Sequence, residues 1–129
     1  MLFLELAVMQ ISSVLKAQAG HIERFFVVSV STERGAFLVA LGVGKKEKGN
    51  IFLTDTGIRA KDRLCELAGV DVSAVNFIMV PSPFQAVGAL RTALLSHRPG
   101  AVLFFVCKSS LAYDKISSEL NVQPEVVEE

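Results

Sequence analysis

The residues best suited to chemistry gather in three short stretches. "VLFFVCKSS", residues 102–110, runs five apolar residues straight into Cys107, Lys108, Ser109 and Ser110. A thiol beside an ammonium at a helix start has the setting that lowers a cysteine pKa and yields a nucleophilic thiolate. "TDTG" (54–57) sets two hydroxyls around Asp55, and "PSP" (81–83) centres on Ser82. Each stretch lies between an apolar run and a helical pattern, where unpaired backbone N–H groups and the helix dipole favour an anion. Thr54, Asp55, Thr56, Ser82, Cys107, Lys108, Ser109 and Ser110 are therefore the candidate ligand-binding residues. A phosphate or a carboxylate is the ligand they suit.

Each of these residues also has a plainer role. Ser, Thr and Asp at helix starts cap the helix, contributing about 1 kcal/mol each without any ligand. Cysteine is among the most buried residue types, and the apolar run before Cys107 makes it the natural end of a core strand. A thiol enzyme needs a base, and the histidines are His21 and His97. In a right-handed crossover His97 falls at the end of its helix away from Cys107. Cys65 lies on a helix flank, and the dispersed cysteines and histidines give no metal-ligand spacing, so no metal and no cofactor is implied. "GVGKKEKG" (42–49) has the glycines and lysines of a phosphate loop, but no helix follows and the Lys-Ser/Thr pair is missing.

The elements that would position these groups follow from period and punctuation. "RFFVVSVST" (24–32) and "AFLVALGV" (36–43), joined by "ERG", read as a hairpin. "GKKEKGN" (44–50) is a second turn, leading into a short strand "IFLT". "GIRAKDRLCELAG" (57–69) is an amphipathic helix with Ala60, Leu64, Leu67 and Ala68 inward. "VNFIMV" (75–80) and "AVLFFV" (101–106) are apolar throughout, as strands buried on both faces are; the helical stretches that follow them make parallel pairing the expectation. The first of those helices spans 82–100, with Ser82 as N-cap, Pro83 at its first position and Gln85 completing a capping box. The last, 110–120, buries Ala112, Tyr113, Ile116 and Leu120. "LFLELAVM" (2–9) reads either as a buried strand or as the first turns of a helix running on to Gly20, and the crowding of Leu, Phe and Val favours the strand.

The expected fold is α/β with an α+β tendency in the first half: a mixed sheet of about five strands with helices packed on it. Its C-terminal half is β-α-β-α with parallel strands. Residues 1–122 form one domain, and 123–129 are a frayed acidic tail. The 129-residue chain is 51% hydrophobic and 20% charged, so it is globular in composition. Lys plus Arg and Asp plus Glu are balanced at 13 each, which argues against a nucleic-acid partner. No apolar run is long enough to cross a bilayer. The N-terminus lacks the basic start and small-residue cleavage pattern of a signal peptide, so a cytoplasmic protein is expected.

Two resemblances are local. Asp-Thr-Gly at 55–57 is similar to the active-site triplet of aspartic proteases, but those enzymes are all-β and a helical pattern begins here at Gly57 or Ile58. "SSVLKAQAGHIERFFVVSVSTERGAFLVAL" (12–41) resembles the helix, glycine turn and hairpin of ACT-type regulatory domains. That resemblance implies a βαββαβ ferredoxin-like topology and amino-acid binding at a dimer interface. The family's acidic-x-Pro-Gly turn is replaced by "MQIS" (9–12), so no ligand residue is carried over, and the elements after residue 82 exceed that fold.

Three functions are compatible with these residues. The first is a small binding or regulatory domain that senses an anion at the carboxyl edge of its sheet and self-associates through the apolar strand 24–31 or its N-terminal surface. The second is an enzyme using Cys107 or Asp55 with Lys108 at that edge. The third is an RNA-binding protein, through Lys45, Lys46, Lys48 and Arg34 at hairpin tips. The lack of a visible acid–base pair favours the first.

Overall fold

A computed structural model of the chain describes residues 9, 11, 13, 22–44, 75–80, 82–107, 109–123 and 125–126. The strand expected at 51–54 and the helix expected at 57–69 fall outside the described residues. So do most positions of the N-terminal run; residues 9, 11 and 13 are helical, with Ile11 buried and Met9 exposed.

β1 (Ile22–Thr32) and β2 (Gly35–Gly44) form the expected antiparallel hairpin. Only Glu33 and Arg34 make the turn. Thr32 Oγ1 holds it, accepting from the Arg34 amide at 3.2 Å and donating to Gly35 O at 2.9 Å. Gly35 has φ +138°, and a Cβ there would lie 2.6 Å from Pro99 Cβ. Glycine is what lets the end of the hairpin approach the Pro99 loop so closely.

β3 (Val75–Val80) and β4 (Val102–Cys107) are parallel to each other, and β4 is parallel to β2. The result is a mixed sheet with its four longer strands in the order β3-β4-β2-β1. The sequence 123–129 reads as a fraying tail, yet Glu125–Val126 (β5) pairs antiparallel with Phe25 and Arg24 on the outer side of β1. The hairpin that carries the ACT-type resemblance is present. Its second strand, however, continues into parallel pairs, whereas a ferredoxin-like sheet is antiparallel, so the topology departs from that expectation.

Alternation along the strands decides which residues meet the helices. Phe37, Val39, Leu41 and Val43 of β2 share a core cluster with Leu103, Phe105 and Cys107 of β4. Ala86, Leu90 and Ala93 of α1 (Ala86–Ser96) and Ala112, Tyr113 and Ile116 of α2 (Ser110–Leu120) close over them. Truncating a residue of this layer, such as Leu90, costs about 2–5 kcal/mol. Leu38, Ala40, Val102 and Phe104 point to the other face and are buried as well. That double burial is why these strands read as unbroken apolar runs.

The helix expected at 82–100 is shorter and begins differently. Ser82 does serve as N-cap, but of a 3₁₀ turn, Pro83–Gln85, closed by a bond from the Gln85 amide to Ser82 O at 3.1 Å. Gln85 makes no side-chain capping bond, so the capping box is not formed. α1 then runs to Ser96. Pro99 disfavours helical backbone at Arg98 and lacks the amide a further turn would need. Arg98–Ala101 instead forms a β-turn with Pro at its second position and Gly100 (φ +91°) at its third, the type II pattern, closed by Ala101 N–H to Arg98 O at 3.1 Å.

α2 ends in a Schellman motif. Asn121 is left-handed (φ 55°, ψ 48°), its amide reaches Ser118 O at 3.1 Å, and Val122 N–H reaches Ser117 O at 3.3 Å. α2 is fastened to β1 through Tyr113, whose ring meets the Phe26 ring edge-on at 5.6 Å. The Arg24 guanidinium lies 4.7 Å from the Tyr113 ring centre and pairs with Asp114. Among the described residues no helix is long and apolar enough to cross a membrane.

Candidate functional site

The parallel register brings three strand ends level: Val43 of β2 and Val80 of β3 both pair with Cys107 of β4. This is the carboxyl edge at which the sequence gathers its candidate groups. Ser82, Cys107, Ser109 and Ser110 are described there, while Thr54, Asp55, Thr56 and Lys108 fall outside the described residues.

Cys107 is wholly enclosed, at 0% exposure, between Val43 and Val80 and within the core cluster. Burial strips water from the thiolate and pushes the thiol pKa from 9.0 up to about 12. At neutral pH the group is a protonated, inaccessible thiol and a poor nucleophile. His97, the one described histidine, is at the far end of α1, at the opposite edge of the sheet. The six residues of β4 separate the two edges by roughly 17 Å, at 3.3 Å per residue.

The two cap hydroxyls are turned onto their own backbone. Ser82 Oγ accepts from the Phe84 amide at 3.3 Å, and Ser109 Oγ from the Leu111 amide at 3.2 Å. Ser109 O also receives the Tyr113 amide at 3.2 Å. Ser110, the first residue of α2, is exposed. Neither the 3₁₀ turn nor the first turn of α2 carries a carboxylate, so no side-chain anion of their own answers these positive helix ends.

The edge also holds groups with no chemical signature in the sequence. Phe84 is 93% exposed and Leu111 53% exposed, one at each helix start. Lys115 Nζ lies 6.0 Å from the Phe84 ring centre, within reach of a weak cation–π contact. A signal for Phe84 existed in its position, outside the row Ala86, Leu90, Ala93 that faces the core.

Arg34, the described member of the basic set proposed for RNA, is engaged elsewhere. Its Nη1 donates to Leu94 O at 2.6 Å and Leu95 O at 2.8 Å, at the C-terminal end of α1. Lys45, Lys46 and Lys48 fall outside the described residues. The apolar strand expected to offer an interface has Phe25 and Phe26 inside the fold. Among the described residues no cluster of three His, Cys, Asp or Glu is placed to hold a metal ion. Comparison with protein-family models, with curated proteins and with solved structures finds no match to this chain.

Proposed function

We propose that this chain is a small non-catalytic binding or regulatory domain that takes an anionic ligand at the carboxyl edge of its sheet. The observation that carries this reading is the state of the polar groups there. The thiol is shut in and the Ser82 and Ser109 hydroxyls cap backbone amides, while two helix starts without acidic residues meet beside exposed Phe84, Leu111 and Lys115. Such an edge offers the positive ends of two helix starts, one ammonium and apolar surface, which suit reversible binding better than covalent chemistry. Thr54, Asp55, Thr56 and Lys108 belong to the same site in this reading.

The wider reading is of a cytoplasmic, self-associating protein with a β-α-β-α C-terminal half in a sheet of about five strands. Exposed Phe84 and Leu111, side by side at the helix starts, favour association. The enzyme alternative loses its thiol to burial and rests on Asp55 and Lys108. The RNA alternative loses Arg34 to the end of α1.

A titration of ¹⁵N-labelled protein with inorganic phosphate, against sodium chloride at equal ionic strength, tests the proposal. Saturable shifts are expected at the amides of Phe84, Gln85, Ser110 and Leu111. Shifts that track ionic strength alone would overturn it.

A further inference from the structure

The opposite edge of the sheet holds a cavity of about 540 Å³ between β3 and the turn that follows α1. Its polar lining is Asn76 from the start of β3 with Ser96, His97 and Arg98 from the end of α1; Pro99 to Ala101 complete the lining. The volume lies within the range of about 300–1,000 Å³ that small-molecule sites occupy. Among the described residues no Asp or Glu lines it. Arg98 is exposed and has no carboxylate partner among the described residues.

A helix C-terminus ordinarily repels an anion, because its last carbonyls are unpaired and carry the negative end of the dipole. Here three of those four carbonyls are occupied. Ala93 O accepts both the His97 amide at 3.0 Å and His97 Nδ1–H at 2.9 Å. Leu94 O and Leu95 O accept the Arg34 guanidinium. The end of α1 is thereby covered by one fixed positive charge, with Arg98 supplying a second at the cavity wall. With Nδ1–H committed to Ala93 O, the neutral His97 ring serves to cover the helix end and leaves the anion to other donors.

The scaffold under these groups is stiff. The Arg98–Ala101 turn is fastened to β2 by Gly100 N–H to Ala36 O at 2.6 Å and Leu38 N–H to Ala101 O at 3.1 Å. Gly35 packs directly against Pro99. Polar groups held on a fixed turn lose little freedom on binding.

We propose that this amino-edge cavity binds a small organic oxyanion, with the Arg98 guanidinium as its main contact and the Asn76 side-chain amide as a hydrogen-bond donor. Arg pairs its planar fork with carboxylate or phosphate oxygens, and the cavity is larger than a bare ion, leaving room for an organic body against Pro99 and Ala101. The site is separate from the carboxyl edge and does not depend on the reading given to that edge.

The test is a pair of titrations of the full ¹⁵N-labelled chain with inorganic phosphate and with acetate, each against sodium chloride at equal ionic strength. Saturable shifts are expected at the amides of Asn76, His97, Arg98, Gly100 and Ala101, and the tighter probe tells phosphate from carboxylate. Arg98→Ala is expected to weaken the tighter probe about tenfold or more, and Arg98→Lys to weaken it less. Arg98 is exposed, so both variants keep the fold, which the same spectra verify. Shifts that follow ionic strength alone, or an Arg98→Ala titration equal to wild type, would overturn the site. Ser110 and Leu111 report the carboxyl edge in the same spectra, so failure at one edge is read apart from failure at the other.

Discussion

At the carboxyl edge Cys107 is sealed into the core and Ser82 and Ser109 bond their own helix starts; at the amino edge Arg34, His97 and Arg98 surround the end of α1 beside an open cavity. At one edge folding has used up three reactive residues, Ser82, Cys107 and Ser109. The other is built from a loop-ending "HRPG" with no nucleophile, yet it keeps an uncommitted cation. Residue type alone is a poor guide to a site, because capping and burial claim reactive groups first.

The contrast breaks most visibly at Gly35. Gly35→Val places a β-branched side chain at positive φ against Pro99, and a loss of about 2–4 kcal/mol in urea unfolding is expected. The amino-edge turn should loosen with it, seen as faster hydrogen exchange at Gly100.

Cys107 sharpens the comparison from the other side. Cys107→Ser buries a hydroxyl in the apolar core cluster, and a cost of about 1–3 kcal/mol is expected. Because the thiol pKa is raised from 9.0 to about 12 in the folded state, the folded protein holds a proton that the unfolded chain releases. Its contribution is complete below pH 9 and is lost as pH rises from 9 towards 12. Comparing alkaline stability profiles of the native chain and Cys107→Ala isolates this slope; parallel profiles would mean an accessible thiol.

Arg34→Ala uncovers the Leu94 and Leu95 carbonyls, with an expected loss of about 1–2 kcal/mol and weaker oxyanion binding at the amino edge. The smallest effect is at Ser109. Ser109→Ala removes one N-cap bond, and a loss of about 1 kcal/mol is expected in thermal unfolding, with the amino-edge titration unchanged.

Local features were legible in the sequence. The hairpin around "ERG", the Ser82 cap and the stop at "RPG" depend on residues within a few positions of one another. The unbroken apolar run of β4 announced its burial on both faces, whereas β3, which reads the same way, leaves Met79 exposed. What stayed hidden depends on distant contacts. Arg34 reads as a hairpin-tip charge until α1, sixty positions away, presents its carbonyls. Glu125–Val126 has no strand signal of its own, and its partner strand lies near the other end of the chain. Asn76 and Arg98 gained meaning only when β3 and the turn after α1 came together around a cavity.

The parallel joint between β2 and β4 sets the order in which this molecule can assemble. Leu38 and Val102 are separated by roughly sixty residues, and closing so long a loop costs entropy before any strand contact offsets it. The β1–β2 hairpin and the β3–α1–β4 unit close over much shorter spans and should form first. The docking of these two halves is then the slow step, and Val39→Ala, which thins the joint, is expected to slow refolding in stopped-flow measurements. Until that docking is complete the inner side of β2 is an unpaired apolar strand edge, and a second chain at the same stage is its most dangerous neighbour.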